Sequence, residues 1–353
     1  MYFGYPIEAT TGNWFHECMT EVIITINTLR KAGQVIPEWP EIIPEHYRAS
    51  LYTRTGLKDR LKVYRESLEG LSNVDLDHIS NAMIMQNEIS RLLSGECNCE
   101  SIDELPISVR GPIIDLFTFG FKLLTDLGIR DSQYQLIYER TPYHVCPFCG
   151  CEYFDAPKGP REALDHYLVE SKYPFAAANL KNLVPMGNKC NSRYKLAQDI
   201  LYDNEGHRRH SSYPYNIVNG VQISLLRSEP FEGTSSLFPL PRWQVDFEPA
   251  SEEVSTWDTV FHIEERLKRD VLDSDFMSWL GEFSVWCRDS VARPISQERI
   301  SEALLRYSDS MKENGIKDRA FLKAAVFLML HNYYQQGNQR LIDLVNGVVI
   351  GRM

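Results

Sequence analysis

A run of turn residues, cysteines and aromatics between Tyr143 and Asn219 separates two stretches of helical periodicity, and it limits what this 353-residue chain can become. The segment has only short apolar runs. It has too little core to hold itself, so a metal or close packing has to pin it. Upstream, apolar residues recur at helical spacing from Asn13 to Ala32 (Trp14, Cys18, Val22, Ile26, Leu29), with Thr11 as the expected cap and Gly33 as the expected stop. The Pro-rich piece IPEWPEIIPEH interrupts this pattern, which resumes through GLKDRLKVYRESLEGL, HISNAMIMQNEISRLLSG and GPIIDLFTFGFKLLTDLG. Downstream, VQISLLRSE and RWQVDFEP alternate with period two around EGTSSLFPLP and predict an antiparallel strand pair. Four apolar-striped stretches from Trp257 onward then predict helices. The expected architecture is mainly α: a helical region over 1–135, a small loop-rich domain over 136–220, and a strand pair with helices over 221–353.

The charge balance narrows the function classes. With 48 acidic against 37 basic residues the chain is not a polycation that coats nucleic acid, so any nucleic-acid site must be local. Between Thr141 and His210 there are nine Lys/Arg and eight Asp/Glu, which leaves the net negative charge on the remainder. Those acidic helical regions suit a protein partner or a homo-oligomer, although a charged helix face is more often simply solvated. No apolar run reaches the length of a membrane-spanning helix, and MYFGYPIEATTGNW lacks the basic start and apolar core of a signal peptide. A cytoplasmic protein without a membrane partner is therefore expected.

Within the central segment, Cys146 and Cys149 have zinc-knuckle spacing, whereas Cys18, Cys97, Cys99 and Cys287 are scattered and expected to be inert thiols. Asp165 and His166 are adjacent, so on a strand they point to opposite sides and divide two roles. His166 can take a proton from water near neutral pH, and Asp165 can bind a hard cation. Asn191 offers an amide oxygen as a second cation ligand at the start of an expected helix from about Cys190 to Leu201. Lys195, four residues on, lies on the same helix face, where it either holds a phosphate oxygen or is merely solvated. Asp77–His78 is a second such pair, has no cysteine or asparagine partners in this arrangement, and is expected to begin a helix.

In order, CPFCG, LDHYL, YPFAAANLKNLVP and KCNSRYK span Cys146 to Leu201 and resemble the HNH endonucleases, over about 60 residues that exclude the helical flanks. The resemblance implies a ββα-metal finger and metal-dependent hydrolysis of nucleic-acid phosphodiesters, DNA in the first place, leaving a 5′-phosphate and a 3′-hydroxyl. It makes His166 the general base, Asp165 and Asn191 the ligands of Mg2+ or Mn2+, and Asn182 the residue orienting the loop around the histidine. Asn182 reads equally well as a structural turn residue. Lys181, Lys189 and Arg193 would add contacts to the nucleic-acid backbone. Cys190 falls where the family's second cysteine pair ends, so Cys146, Cys149 and Cys190 would hold a structural Zn2+. Gly187 stands where the fourth cysteine belongs, which leaves His144, Cys151, His207 or His210 as the fourth ligand, or packing alone. An antiviral or prophage nuclease fits this reading, and the competing one is a catalytically silent nucleic-acid-binding or scaffolding subunit.

Overall fold

The computed structural model describes residues 1–141, 143–159, 164–217, 220–231, 240–290 and 296–350. These are mainly helical, with two small antiparallel strand pairs. The chain divides into two compact units, one comprising Phe3–Cys146 and Tyr153–Val218, the other Pro147–Glu152 and Asn219–Met353 with Tyr2. The division expected at 135/136 therefore falls inside the first unit.

In the first unit the helix Trp14–Lys31 buries Phe15, Cys18, Met19, Val22, Ile23 and Ile26, an i, i+3, i+4 series that lines one face. Each such burial is worth roughly 1.5–3 kcal/mol. Asn13, not Thr11, precedes this helix, and the Asn13 side chain is engaged elsewhere: its Nδ2 donates to Asn179 Oδ1 (3.0 Å) and its Oδ1 accepts from the Leu180 N–H (2.9 Å). The helix Asn73–Gln86 starts on a capping box in which Ser72 and Asp75 satisfy each other's backbone donors, so the Asp77–His78 pair lies within this helix, in its second turn, and does not begin it. The helix Ile107–Asp126 turns through left-handed Gly128 into Ile129–Arg140.

One core serves both the helices and the cysteine-bearing segment. Leu164, Phe175, Ala177, Ala178, Leu180 and Leu183 belong to the same buried cluster as Phe15, Ile23, Met83, Leu116 and Phe117 of the helices. Packing on the helices thus supplies the core that the segment lacks. Gly120 lies close against this junction: a Cβ there would stand 3.3 Å from the Phe15 ring and 3.7 Å from Ala178 Cβ.

In the second unit, β3 and β4 of the chain, Gln222–Ser224 and Asp246–Glu248, pair antiparallel with Ile223 opposite Phe247, as the period-two alternation predicts. Most of the joining stretch EGTSSLFPLP lies outside the described residues. Tyr307 and Phe327, on Gln297–Glu313 and Ala320–Gln335, meet edge to face at 4.6 Å, and Phe283 of Asp273–Ser290 packs against both. Pro147–Glu152 packs here through Phe148, whose ring lies 4.7 Å from Phe261 and whose carbonyl accepts from Trp257 Nε1 (3.0 Å). Among the described residues no helix is long and apolar enough to cross a membrane.

A buried histidine gives the first unit an acid-sensitive point. His16 is buried, its Nδ1 has no hydrogen-bond partner, and desolvation, followed by the Lys181 charge, lowers its pKa from 6.5 to about 4. The unfolded chain therefore binds this proton more readily. The stabilisation is complete above about pH 6.5 and is lost as pH falls towards 4, by on the order of 3 kcal/mol. Urea denaturation across that interval is expected to show a shallower pH dependence for His16→Gln than for the natural chain; equal slopes would contradict it.

Candidate active site

The first strand pair presents the Asp-His dyad. Strand β1, Leu164–His166, runs antiparallel to β2, Leu183–Pro185, with Asp165 opposite Val184 and His166 opposite Leu183. Leu164 and His166 are buried, while Asp165 between them is partly exposed, so the alternation expected for adjacent residues holds. His166 Nε2 lies 3.0 Å from the Ala177 carbonyl, an atom that can only accept, so Nε2 carries the proton and Nδ1 the lone pair of the neutral ring. Nδ1 is 3.6 Å from Glu170 Oε2, and the other Glu170 oxygen accepts from the Thr118 hydroxyl. The Phe121 ring lies 4.3 Å from the imidazole, and the Arg130 guanidinium stands 4.3 Å from the Phe121 centroid. Burial lowers the His166 pKa against the opposing pull of the Glu170 and Asp165 carboxylates. The ring is thus neutral near pH 7 and able to accept a proton.

Asn182 is fully buried and ties the segment together: its Oδ1 accepts from the Leu168 N–H (2.7 Å), and its Nδ2 donates to the carbonyls of Leu168 (3.1 Å) and Ala176 (3.2 Å). Ala176 directly precedes the carbonyl that holds His166. Lys195 is not on the surface. It is 1% exposed, with Nζ 3.4 Å from Asp165 Oδ2, and burial lowers its pKa while Asp165 opposes the shift. The reason is the backbone: the helix expected to reach Leu201 is a π-helical stretch, Cys190–Lys195, closed by the Leu196 N–H on the Asn191 carbonyl (3.0 Å) and ended by Leu196 at φ 47°. Beyond it, Asp199 accepts from the Tyr173 hydroxyl (2.9 Å), Lys172 Nζ (3.1 Å) and the Leu201 N–H (2.9 Å), which holds the chain in a turn. Asn191 opens the stretch, next to Cys190. Lys181, Lys189 and Arg193 are exposed.

Asp165 Oδ2 is buried and paired with the Lys195 ammonium at 3.4 Å, an ion pair of long geometry. The buried ammonium of Lys195 beside it partly balances the carboxylate charge. Sequence reasoning missed Glu170, Ala177 and Thr118. The i, i+4 spacing of His166 and Glu170 carries weight only on a helix, and Glu170 lies in a turn.

Cys146, Cys149 and Cys190 are buried with their sulfurs within 4.8 Å of one another. Cys146 Sγ and Cys190 Sγ are 3.8 Å apart. That is too far for a disulfide and close to the edge of about 3.8 Å that a tetrahedron with Zn–S bonds of about 2.3 Å requires. This cluster could hold a metal such as zinc. Among the described residues no fourth His, Cys, Asp or Glu completes the group. Of the expected fourth ligands, His144 stacks on Tyr138, His207 lies 3.1 Å from an Asp203 oxygen, Cys151 Sγ donates to the Cys149 carbonyl, and the His210 ring lies beside Gly95. Desolvation pushes the thiols of Cys18, Cys99 and Cys287 up to about 12, consistent with inert cysteines. Comparison with protein-family models, with curated proteins and with solved structures finds no match for this chain.

Proposed function

We propose that this protein is a metal-dependent endonuclease of the HNH type, built on a ββα-metal finger and hydrolysing the phosphodiesters of nucleic acid, DNA foremost. One observation carries the reading: a neutral, buried His166 with its Nε2–H held by a backbone carbonyl stands next to the Asp165 carboxylate, whose buried oxygen lies 3.4 Å from the Lys195 ammonium. Binding alone needs cations on the protein, not this base and acid. His166 Nδ1 takes a proton from water as the water oxygen bonds to phosphorus and the P–O3′ bond breaks. The 3′-oxygen leaves and takes a proton from solvent water to become the 3′-hydroxyl, and a 5′-phosphate remains. Glu170 balances the imidazolium that forms. Asp165 and Asn191 would hold a divalent cation, Mg2+ or Mn2+, whose chemistry is neutralisation of charge on the phosphate. Lys181, Lys189 and Arg193 contact phosphates and make binding salt-dependent. The acidic helical regions suit a protein partner or self-association in the cytoplasm, as in an antiviral or prophage system.

The deciding experiment incubates the purified protein with supercoiled plasmid, single-stranded DNA and RNA, each with Mg2+, Mn2+ or chelator. Plasmid nicking that needs the cation is expected, and Asp165→Ala or Asn191→Ala should raise the cation concentration required or abolish activity. Binding of nucleic acid with no cleavage under any condition would instead identify the silent, scaffolding alternative.

A further inference from the structure

The carbonyl that sets the tautomer of His166 is itself held by side chains far away in sequence. Ala177 lies in the stretch 174–179, whose Pro174–Ala176 part is a single 3-10 turn. At the front of that stretch Gln86, wholly buried at the end of the helix Asn73–Gln86, accepts from the Phe175 N–H through Oε1 (3.1 Å) and donates through Nε2 to the Glu100 carbonyl (2.8 Å). Asn87 donates to the Phe175 carbonyl (3.4 Å) and to the Met83 carbonyl (2.7 Å). At the back, Asn179 donates to Asn87 Oδ1 (2.9 Å) and accepts from Asn13 Nδ2 (3.0 Å) and from the Lys181 N–H (3.0 Å). Buried amide side chains thus bracket Ala177 on both sides. Each is bonded at both ends of its amide, which sets the orientation of the group.

We propose that Gln86, Asn87 and Asn179 are positioning residues for His166: they fix the 174–179 stretch so that the Ala177 carbonyl keeps the proton on Nε2 and leaves the Nδ1 lone pair towards Glu170. This rests on the nuclease reading only for its consequence, the rate. Its structural content, the tautomer, is independent of any activity. The chemistry demands such a brace. A neutral imidazole in water populates both tautomers, and only the Nε2–H form offers Nδ1 as a base; outer partners that fix a histidine's tautomer typically contribute 10- to 100-fold where such effects have been measured at metal sites. The stretch has two internal backbone bonds, from the Ala177 N–H to the Pro174 carbonyl (2.9 Å) and from the Asn179 N–H to the Ala176 carbonyl (3.1 Å), and neither of them ties the Ala177 carbonyl to the helices.

The test uses the full chain, with Gln86→Met, which keeps the side-chain length and removes both amide bonds, and Asn87→Ser, at a half-buried position that tolerates change more readily. Long-range 15N–1H NMR in mildly alkaline buffer reads the His166 tautomer, while plasmid relaxation separates kcat from KM. The natural chain is expected to show the Nε2–H form. Both variants should gain the Nδ1–H form and lose on the order of tenfold in kcat at unchanged KM. Should Gln86→Met fail to fold, Asn87→Ser decides. An unaltered tautomer in folded variants overturns the proposal, whatever happens to the rate. A shifted tautomer in a protein that cleaves nothing upholds the positioning role and removes the nuclease reading instead.

Discussion

His166→Ala is expected to lose plasmid cleavage by about 100- to 10,000-fold while retaining its circular dichroism and its affinity for the same DNA. The size is that expected of a general base, the role proposed for His166. Structural damage is the competing cause of inactivity, and its scale can be bounded. Removing the ring takes the imidazole donor from the Ala177 carbonyl and opens a gap beside Phe121, a cost of roughly 1–3 kcal/mol for the carbonyl alone. That can lower the melting temperature without unfolding a core in which Leu164, Phe175 and Leu183 are packed into the helices. The measurement is nicking rate at a temperature where the variant is folded. His78→Ala serves as the control, because His78 lies on the helix Asn73–Gln86 paired with Glu100 and should cleave normally. Undiminished nicking by His166→Ala, in a preparation free of contaminating nuclease, would falsify the mechanism.

What could be read in the sequence was what depends on neighbours along the chain. The Trp14–Lys31 helix follows from apolar residues three and four apart, and β3–β4 from alternation, because each pattern reports one element's buried face. Asp165 and His166 part to opposite sides for the same local reason. Thr11 as cap and the helix to Leu201 were misjudged because the competing interactions come from afar: Asn13 is drawn to Asn179 and Leu180, and Asp199 is drawn to Lys172 and Tyr173. The burial of Lys195 was invisible, since a lysine on a helix is ordinarily solvated and only the π-helical stretch and Asp165 turn it inward. Glu170, Thr118 and the Ala177 carbonyl were equally hidden. They surround one imidazole only after the helix Ile107–Asp126 has packed against the segment. The first compact unit runs across 135/136, because a change of texture marks a change of local structure, not the limit of a shared core.

Cys146→Ser is expected to abolish zinc binding, where the natural chain purified without chelator carries about one zinc per molecule by elemental analysis. Soft thiolates select zinc, whereas the oxygen donors of Asp165 and Asn191 would, on the proposed reading, select Mg2+ or Mn2+, so a chelator of high zinc affinity and a simple Mg2+ titration should act on separate sites. The thiols must be deprotonated to bind, and burying thiolates without a metal is costly, so zinc and the fold stabilise each other. The two states differ in energy by enough to decide the matter: loss of a bound structural metal belongs with the largest single-site effects, about 4 kcal/mol or more, which for a unit of this size lowers the melting temperature by roughly 10 °C. Replacing one sulfur by oxygen in a packed, metal-free cluster changes little volume and should cost about 1 kcal/mol, within the common range for point substitutions. A large loss of stability with loss of zinc supports the metal centre. Absence of zinc from the natural chain, with a small loss in Cys146→Ser, means that packing on the helices alone holds Cys190 and the adjoining Asn191 in place.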